Sequence, residues 1–139
     1  MSVSTAKAKW SGELKSGNGV MSFTGYEGPF TFASRFEDGK ETNPEELVGA
    51  ANAGCFSMFL SALLGKEKIV ATSIETTATV TLGTVDGGPQ ITGIELNCVA
   101  NIPGISNDKF QELAASAKAQ CPISKLFAGT TITLVAKLV

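Results

Sequence analysis

The sequence feature that most constrains the fold is a long apolar segment that begins with two acids, NPEELVGAANAGCFSMFLSALLGK (Asn43 to Lys66). Asn43 is a favourable N-cap residue, and Pro44 suits the first helical position. The following acids suit the positive end of a helix dipole. No side chain from Leu47 to Leu64 is charged. The segment therefore predicts one long helix that is apolar on all sides, with Gly65 at its end.

A helix of this length and composition has two possible settings, a lipid bilayer and the core of a soluble domain. Acids lie directly at its start, which favours the soluble core. Small and polar residues interrupt the apolar run and favour the same setting: Gly49, Asn52, Gly54, Ser57 and Ser61. The first residues, MSVSTAKAKWSGEL, contain no apolar signal-peptide core. We therefore predict a cytoplasmic protein without a membrane span.

The flanking sequence predicts an α+β domain. Residues 5 to 36 alternate in the manner of strands, including PFTFASRF (Pro29 to Phe36), and SGNG (Ser16 to Gly19) indicates a hairpin turn. Further on, apolar alternation and helical spacing predict these elements: strands Ile74–Val85 and Gln90–Ile102 around the turn Asp86–Pro89, a helix from Ser106 or Asn107 to Cys121, a short helix after Pro122, and a strand Thr130–Val139. The length fits a single domain, residues 1–139, and this order predicts an antiparallel sheet.

Composition removes several classes of function. The chain has no histidine, which excludes Ser-His-Asp catalysis, Cys-His catalysis and histidine ligation of metal or haem. Its formal net charge is −2 and its lysines are scattered, which argues against nucleic acid as a partner. Its three cysteines have neither zinc-ligand spacing nor the pattern of a secreted disulfide framework. The chemistry of an enzyme with this sequence must rest on Cys, Asp, Glu, Arg, Lys, Ser or Tyr.

The three cysteines differ in their predicted settings. Cys98 lies on the inward face of a predicted strand, where a thiol behaves as a small hydrophobe. Cys55 lies in the middle of the apolar helix and is compatible with packing or with reactivity. Cys121 precedes the short helix, where the helix dipole would stabilise a thiolate, although it could equally serve only to end the preceding helix.

Three motifs together carry a family resemblance: ASRFEDGKETNPEEL (Ala33 to Leu47), AANAGCFSM (Ala50 to Met58) and CPISK (Cys121 to Lys125). They resemble the OsmC branch of the OsmC/Ohr family, bacterial organic-hydroperoxide reductases that act through thiols. The resemblance implies an OsmC-like fold, an intertwined homodimer and a role in oxidative and osmotic stress defence. Asn52 and Gly54 depart from the family pattern and affect the expected shape of the pocket rather than its chemistry.

The resemblance also implies roles for individual residues. Cys55 matches the peroxidatic cysteine, which becomes a sulfenic acid, and Cys121 matches the resolving cysteine. Arg35 matches the arginine that stabilises the thiolate, and Glu45 matches the carboxylate that orients this arginine. Without the resemblance, Arg35 is an ordinary charge at a strand end and Glu45 is an ordinary acid at a helix start.

Helix geometry adds a constraint on assembly. Glu45 and Cys55 are ten residues apart on one predicted helix, a separation of roughly 15 Å along its axis. Unless the helix is broken, Glu45 cannot reach the Cys55 of its own chain. We therefore expect Arg35 and Glu45 to serve the Cys55 of a second subunit in an obligate homodimer with composite active sites.

Apolar side chains near the two thiols indicate the class of substrate. The expected pocket residues are Phe56, Met58, Phe59 and Phe127. Burial of an alkyl or aryl tail would favour organic hydroperoxides over hydrogen peroxide. No cofactor or metal is expected. The resemblance implies an external dithiol as reductant and points to lipoyl groups or small thiols. The alternative is a non-enzymatic protein of the same fold that binds an apolar ligand at the dimer cleft.

Overall fold

The computed structural model of the protein describes residues 1–139 and has two units, Met1–Leu47 and Val48–Val139, which are described separately. The prediction of a single domain over residues 1–139 stays a prediction. The elements, in chain order, are β1 Lys7–Ser11, β2 Asn18–Phe23, β3 Tyr26–Phe30, α1 Phe32–Phe36, α2 Pro44–Lys66, β4 Ser73–Val85, β5 Gly88–Asn101, α3 Asn107–Gln120, α4 Pro122–Leu126 and β6 Thr131–Leu138. The predicted α+β class is confirmed.

The first unit contains a three-stranded antiparallel sheet in the order β1-β2-β3. The predicted turn at Ser16–Gly19 is displaced, because Ser11 pairs with Asn18 and the loop occupies residues 12–17. Gly19 lies within β2 beneath the ring of Phe30, where an added Cβ would stand 2.5 Å from the ring. This glycine therefore allows a close approach across the sheet instead of forming the turn.

The prediction of a strand through Phe36 is wrong, because β3 ends at Phe30 and α1 follows. Thr31 and Ser34 cap each other: the Ser34 amide donates to Thr31 Oγ1 at 3.1 Å, and the Thr31 amide donates to Ser34 Oγ at 2.9 Å. Such reciprocal bonds satisfy amides that a helix start leaves free. The two hydroxyls thus outweigh the apolar alternation that favoured a strand.

Helix α2 starts as predicted and ends slightly later than predicted. The Glu46 amide donates to Asn43 Oδ1 at 2.9 Å, so Asn43 is the N-cap. At the other end the amides of Lys68 and Ile69 bond to the carbonyls of Gly65 and Leu64, at 3.0 Å each. Lys68 has a φ of 58°. This pattern is a Schellman motif that ends the helix at Lys66 without a glycine in the left-handed position.

The second unit contains a three-stranded sheet in the order β4-β5-β6. Strands β4 and β5 form the predicted antiparallel hairpin, and Asp86 and Gly87 make its turn with φ values of 50° and 80°. Strand β6 pairs with β5 in parallel, so the sheet is mixed rather than wholly antiparallel. The helices α3 and α4 lie between β5 and β6 in the chain, and such a helical crossover returns the chain in the same direction.

The core of the second unit lies between this sheet and the helices. Phe56, Leu60 and Leu64 recur at four-residue spacing on α2 and are buried. They cluster with the inward face of β5 and with one face of α3: Ile94, Leu96, Cys98, Ala100, Phe110, Leu113, Ala114 and Ala117. Helix α2 is long and apolar enough to cross a membrane, but core helices of soluble proteins meet the same criterion. Of the most apolar 18-residue window of α2, 28% is buried.

Candidate active site

The structure brings Cys55 and Cys121, 66 residues apart in sequence, together as a disulfide. Their Cα atoms are 6.0 Å apart, within the range that a disulfide spans. Cys55 lies on α2 and is partly exposed, whereas Cys121 is fully buried. Cys55 is therefore the more exposed residue of the pair.

Cys121 occupies a corner between two helices. Its amide donates to the Ala117 carbonyl at 3.0 Å and closes α3, while its carbonyl accepts from the Lys125 amide at 3.0 Å and starts α4. The corner follows from Pro122, since the residue before a proline disfavours helical backbone. The Cys121 side chain makes no capping hydrogen bond, and its sulfur is bonded to that of Cys55 instead.

An apolar cavity of about 240 Å³ adjoins the cysteine pair and is lined by Cys55, Met58, Phe59, Ala62 and Pro122. The α2 members are three, four and seven residues beyond Cys55, which is the spacing of one helix face.

Of the expected pocket residues, Met58 and Phe59 line this cavity and the other two do not. Phe56 is fully buried in the core, because one residue along a helix turns the side chain to another face. Phe127 packs against the same core.

The first unit contains the expected pair of Arg35 and Glu45. Arg35 Nη2 donates to Glu45 Oε1 at 2.7 Å, and Arg35 Nε donates to the same oxygen at 3.1 Å. Glu45 is buried, with 7% exposure, and the Arg35 side chain is 37% exposed. The guanidinium also lies over the ring of Phe36, 5.2 Å from its centroid. The pair holds the guanidinium in a fixed orientation with part of its surface open.

Arg35 reaches this position through a helix that the sequence pattern did not indicate. Helix α1 carries Arg35 in its last turn, and Glu45 follows Pro44 at the start of α2. Arg35 is the only arginine of the chain, as the printed sequence shows. That the chain has only one arginine is the signal for this residue that the sequence itself contains.

A second contact joins the elements that carry the cysteines. Asn52 on α2 is fully buried, and its Nδ2 donates to Ser124 Oγ on α4 at 3.0 Å. Asn52 Oδ1 is buried without a hydrogen-bond partner. Sequence analysis singled out Asn52 only as a departure from the family pattern and did not single out Ser124. The two are 72 residues apart, and no local pattern pairs them.

The third cysteine is separate from this pair. Cys98 is free and fully buried in the core. Burial raises the pKa of the Cys98 thiol, and a hydrogen bond with the Thr76 side chain opposes this effect to a smaller extent. A buried thiol with a raised pKa stays protonated and is a poor nucleophile. Cys98 therefore acts as a packing residue, as the sequence indicates.

The structure thus defines an α+β protein in which a disulfide joins Cys55 on α2 to Cys121 at the corner between α3 and α4. The structure contains no cluster of three or more acidic or cysteine side chains that could hold a metal ion. Residues 37–135 match the family of OsmC-like proteins, and the chain belongs to this family.

Individual relatives agree with that membership. The chain is 46% identical over 123 residues to peroxiredoxin OsmC of Escherichia coli, covering 86% of each protein. It is 31% identical over 127 residues to the organic hydroperoxide resistance protein OhrB of Bacillus subtilis, covering 90% of this chain and 88% of OhrB. Among solved structures, an organic hydroperoxide resistance protein from Elizabethkingia anophelis matches with a TM-score of 0.77 and 25% identity over 99% of each chain.

Proposed function

We propose that this protein is a cysteine-based peroxidase that reduces organic hydroperoxides to alcohols. The observation that carries the proposal is the pairing of a partly exposed Cys55 with a buried Cys121 beside an apolar cavity. The names of two relatives support it, one being a peroxiredoxin and the other an organic hydroperoxide resistance protein.

The reaction uses the two thiols in succession. The Cys55 thiolate attacks the distal oxygen of the hydroperoxide, so that an S–O bond forms, the O–O bond breaks and the alkoxide leaves with a proton as an alcohol. The Cys121 thiol then attacks the sulfenic sulfur of Cys55. A disulfide forms, and the displaced hydroxide takes up a proton and leaves as water. An external dithiol returns two electrons and two protons and restores both thiols.

Arg35 and Glu45 support the first step. The guanidinium favours the thiolate form of the peroxidatic cysteine and stabilises negative charge on the departing oxygen. Glu45 holds the guanidinium through its paired hydrogen bonds. This carboxylate also reduces the positive field of the arginine, so it contributes orientation more than charge.

These two residues serve the Cys55 of a second subunit in the proposed mechanism. Helix α2 is unbroken from Pro44 to Lys66, and ten residues of helix span roughly 15 Å, which keeps Glu45 from its own Cys55. The low buried share of the apolar α2 window, 28% within one chain, supports coverage by a partner. The functional unit is thus an obligate, intertwined homodimer with composite sites.

Substrate choice follows from the cavity. A site of about 240 Å³ lined by apolar side chains gains free energy by taking up an alkyl or aryl tail. Hydrogen peroxide has no such tail, so cumene hydroperoxide should be the better substrate. The catalytic efficiencies on these two peroxides test this point, and a preference for hydrogen peroxide would contradict it.

The physiological setting in this proposal is the bacterial cytoplasm, where the protein defends against oxidative and osmotic stress. A reducing compartment is compatible with a disulfide that must be reopened in every cycle. The reductant is a dithiol of the lipoyl type, because one dithiol molecule can open the disulfide and close on itself.

A thiol count tests the proposed chemistry. The reduced protein is treated with one equivalent of cumene hydroperoxide, beside the variants Cys55→Ser and Cys121→Ser. We expect the parent to lose two thiols per chain, Cys55→Ser to lose none and Cys121→Ser to stop at an oxidised Cys55. Three unchanged thiols in the parent would reject the peroxidase. They would favour the second candidate, a non-enzymatic protein that binds an apolar ligand in the same cavity.

A further inference from the structure

Helices α2 and α4 are joined by two side-chain links that lie one helical turn apart. The first is the Cys55–Cys121 disulfide. The second is the hydrogen bond from Asn52 Nδ2 to Ser124 Oγ, 3.0 Å long. Asn52 is three residues before Cys55, and Ser124 is three residues after Cys121. On α2 this spacing places Asn52 next to Cys55 on the same face, and Ser124 is the third residue of α4, whose N-cap residue is Cys121.

Asn52 is an unfavourable residue at its position if only side-chain packing contributes to stability. Its side chain is fully buried, and its Oδ1 atom has no hydrogen-bond partner. A buried polar atom without a partner destabilises the folded state, and an apolar side chain of similar size would avoid that loss. The one bond that the amide makes goes to Ser124, so the link to α4 is what the buried asparagine provides.

We propose that Asn52 and Ser124 are positioning residues for the second step, in which Cys121 closes onto oxidised Cys55. This inference rests on the proposed two-cysteine function. Reduction breaks the disulfide but leaves the hydrogen bond available. The bond then holds α4 against α2, and the Cys121 sulfur stays within reach of the Cys55 sulfenic acid.

The length of α4 makes such a link necessary. This helix spans only Pro122–Leu126, and an isolated helix of that length is not stable by itself. Once the disulfide opens, Cys121 can separate from Cys55 by any loosening of this short segment. A fixed contact one turn away raises the effective concentration of the attacking thiol and limits the time for which the sulfenic acid is exposed to a second peroxide.

The first test is kinetic and uses Ser124→Ala, which removes the hydroxyl with little change in volume. Single-turnover oxidation by cumene hydroperoxide is stopped at successive times, and both the disulfide and the sulfenic acid trapped by dimedone are measured by mass spectrometry. We expect disulfide formation to slow by about three- to tenfold, the factor that corresponds to the free energy of one hydrogen bond. The rate of peroxide consumption should stay unchanged. Ser124→Thr, which keeps a hydroxyl, should restore the parent rate.

A second variant separates this role from general destabilisation. Asn52→Leu removes the half-satisfied amide and fills the space with apolar atoms, so its thermal stability should equal or exceed that of the parent. We nevertheless expect it to slow disulfide formation as Ser124→Ala does. The double variant should be no slower than either single variant, because both changes remove the same bond.

Ser57→Ala is the matched control. Ser57 also lies on α2, two residues after Cys55, and its hydroxyl makes a 2.7 Å hydrogen bond with Thr76 Oγ1 on β4. The variant therefore loses a side-chain bond of α2 without touching α4. We expect an unchanged rate of disulfide formation. Equal slowing in Ser57→Ala would overturn the proposal, since any loosening of α2 would then suffice.

An equilibrium measurement keeps the test independent of peroxidase activity. The disulfide is equilibrated with mixtures of oxidised and reduced dithiothreitol. Loss of the link should lower the effective concentration of the two thiols by the same three- to tenfold, which raises the reduction potential by about 15–30 mV. An unchanged potential and an unchanged closing rate in both Ser124→Ala and Asn52→Leu would overturn the positioning role alone. A parent that consumes no peroxide would reject the proposed function, and the potential would still decide whether the link positions the thiols.

Discussion

The charged pair Arg35–Glu45 and the cysteine pair Cys55–Cys121 are assembled in opposite ways. The charged pair joins residues ten positions apart, on two helices whose N-terminal caps are local hydrogen bonds. The cysteine pair joins residues 66 apart and depends on the packed core of the second unit. A charged group can thus be placed by nearby hydrogen bonds, whereas two thiols from distant segments need a core to bring them together.

The largest effect should come from the charged pair. Arg35→Ala removes the only arginine, and the efficiency on cumene hydroperoxide should fall by about 10²–10³-fold, as when one preorganised donor is lost from a reacting oxygen. Steady-state kinetics measure this. Lys40→Ala, which removes an exposed cation in the same unit, is the control and should retain full activity. An Arg35→Ala variant as active as the parent would separate the charged pair from the chemistry.

Subunit complementation tests whether the two pairs act across chains. Arg35→Ala and Cys55→Ser are each inactive in this mechanism, but a dimer containing one of each has one complete composite site. Random assembly makes half of all dimers mixed, and each mixed dimer has one intact site out of two. The mixture should therefore regain about a quarter of parent activity after joint refolding. No recovery from two inactive variants would mean that each chain uses its own arginine.

Core and cavity can be separated by two phenylalanines on α2. Phe56→Ala should lower the free energy of unfolding by about 3–5 kcal/mol, because Phe56 is fully buried in the core. Phe59→Ala should instead raise KM for cumene hydroperoxide while changing activity on hydrogen peroxide little, since Phe59 lines the cavity. Denaturant unfolding and paired kinetics measure the two effects. Equal loss of activity on both peroxides in Phe59→Ala would contradict its role in the cavity.

The smallest effect concerns the thiol that takes no part. Burial raises the pKa of Cys98 in the folded protein, so the unfolded chain loses this proton at a lower pH than the folded chain does. The stability that protonated Cys98 contributes is complete below the pKa of this thiol in the unfolded chain and declines as the pH rises above it. Unfolding of the oxidised protein at pH 7 and pH 10 should therefore show a smaller decline for Cys98→Ala than for the parent. An equal decline in stability in both proteins would contradict the raised pKa of Cys98.

Local chemistry explains which parts of the fold could be predicted. Asn43 and the turn predicted at Asp86–Pro89 act through their own backbone neighbours. Asn43 caps α2 as expected, and the turn consists of Asp86 and Gly87, because β5 already begins at Gly88. The Thr31–Ser34 cap is also local, but its serine replaces the usual acid or amide of a capping box, so alternation favoured a strand.

The features that the sequence did not predict depend on pairing between distant segments. The parallel pairing of β6 and the bond between Asn52 and Ser124 depend on how distant segments meet. The resemblance supplied Cys55, Cys121, Arg35 and Glu45 as expected site residues, and their catalytic roles stay predictions. Phe56 was expected in the pocket, but its position on α2 directs its side chain into the core.

The separation of 66 residues between the two cysteines has a consequence during protein synthesis. At roughly 5–20 residues per second, Cys121 is added to the growing chain about 3–13 s after Cys55. Strand β6, which completes the sheet beneath the core, is made later still. A nascent chain therefore carries Cys55 for several seconds before it has Cys121, and the disulfide between them cannot form in that interval.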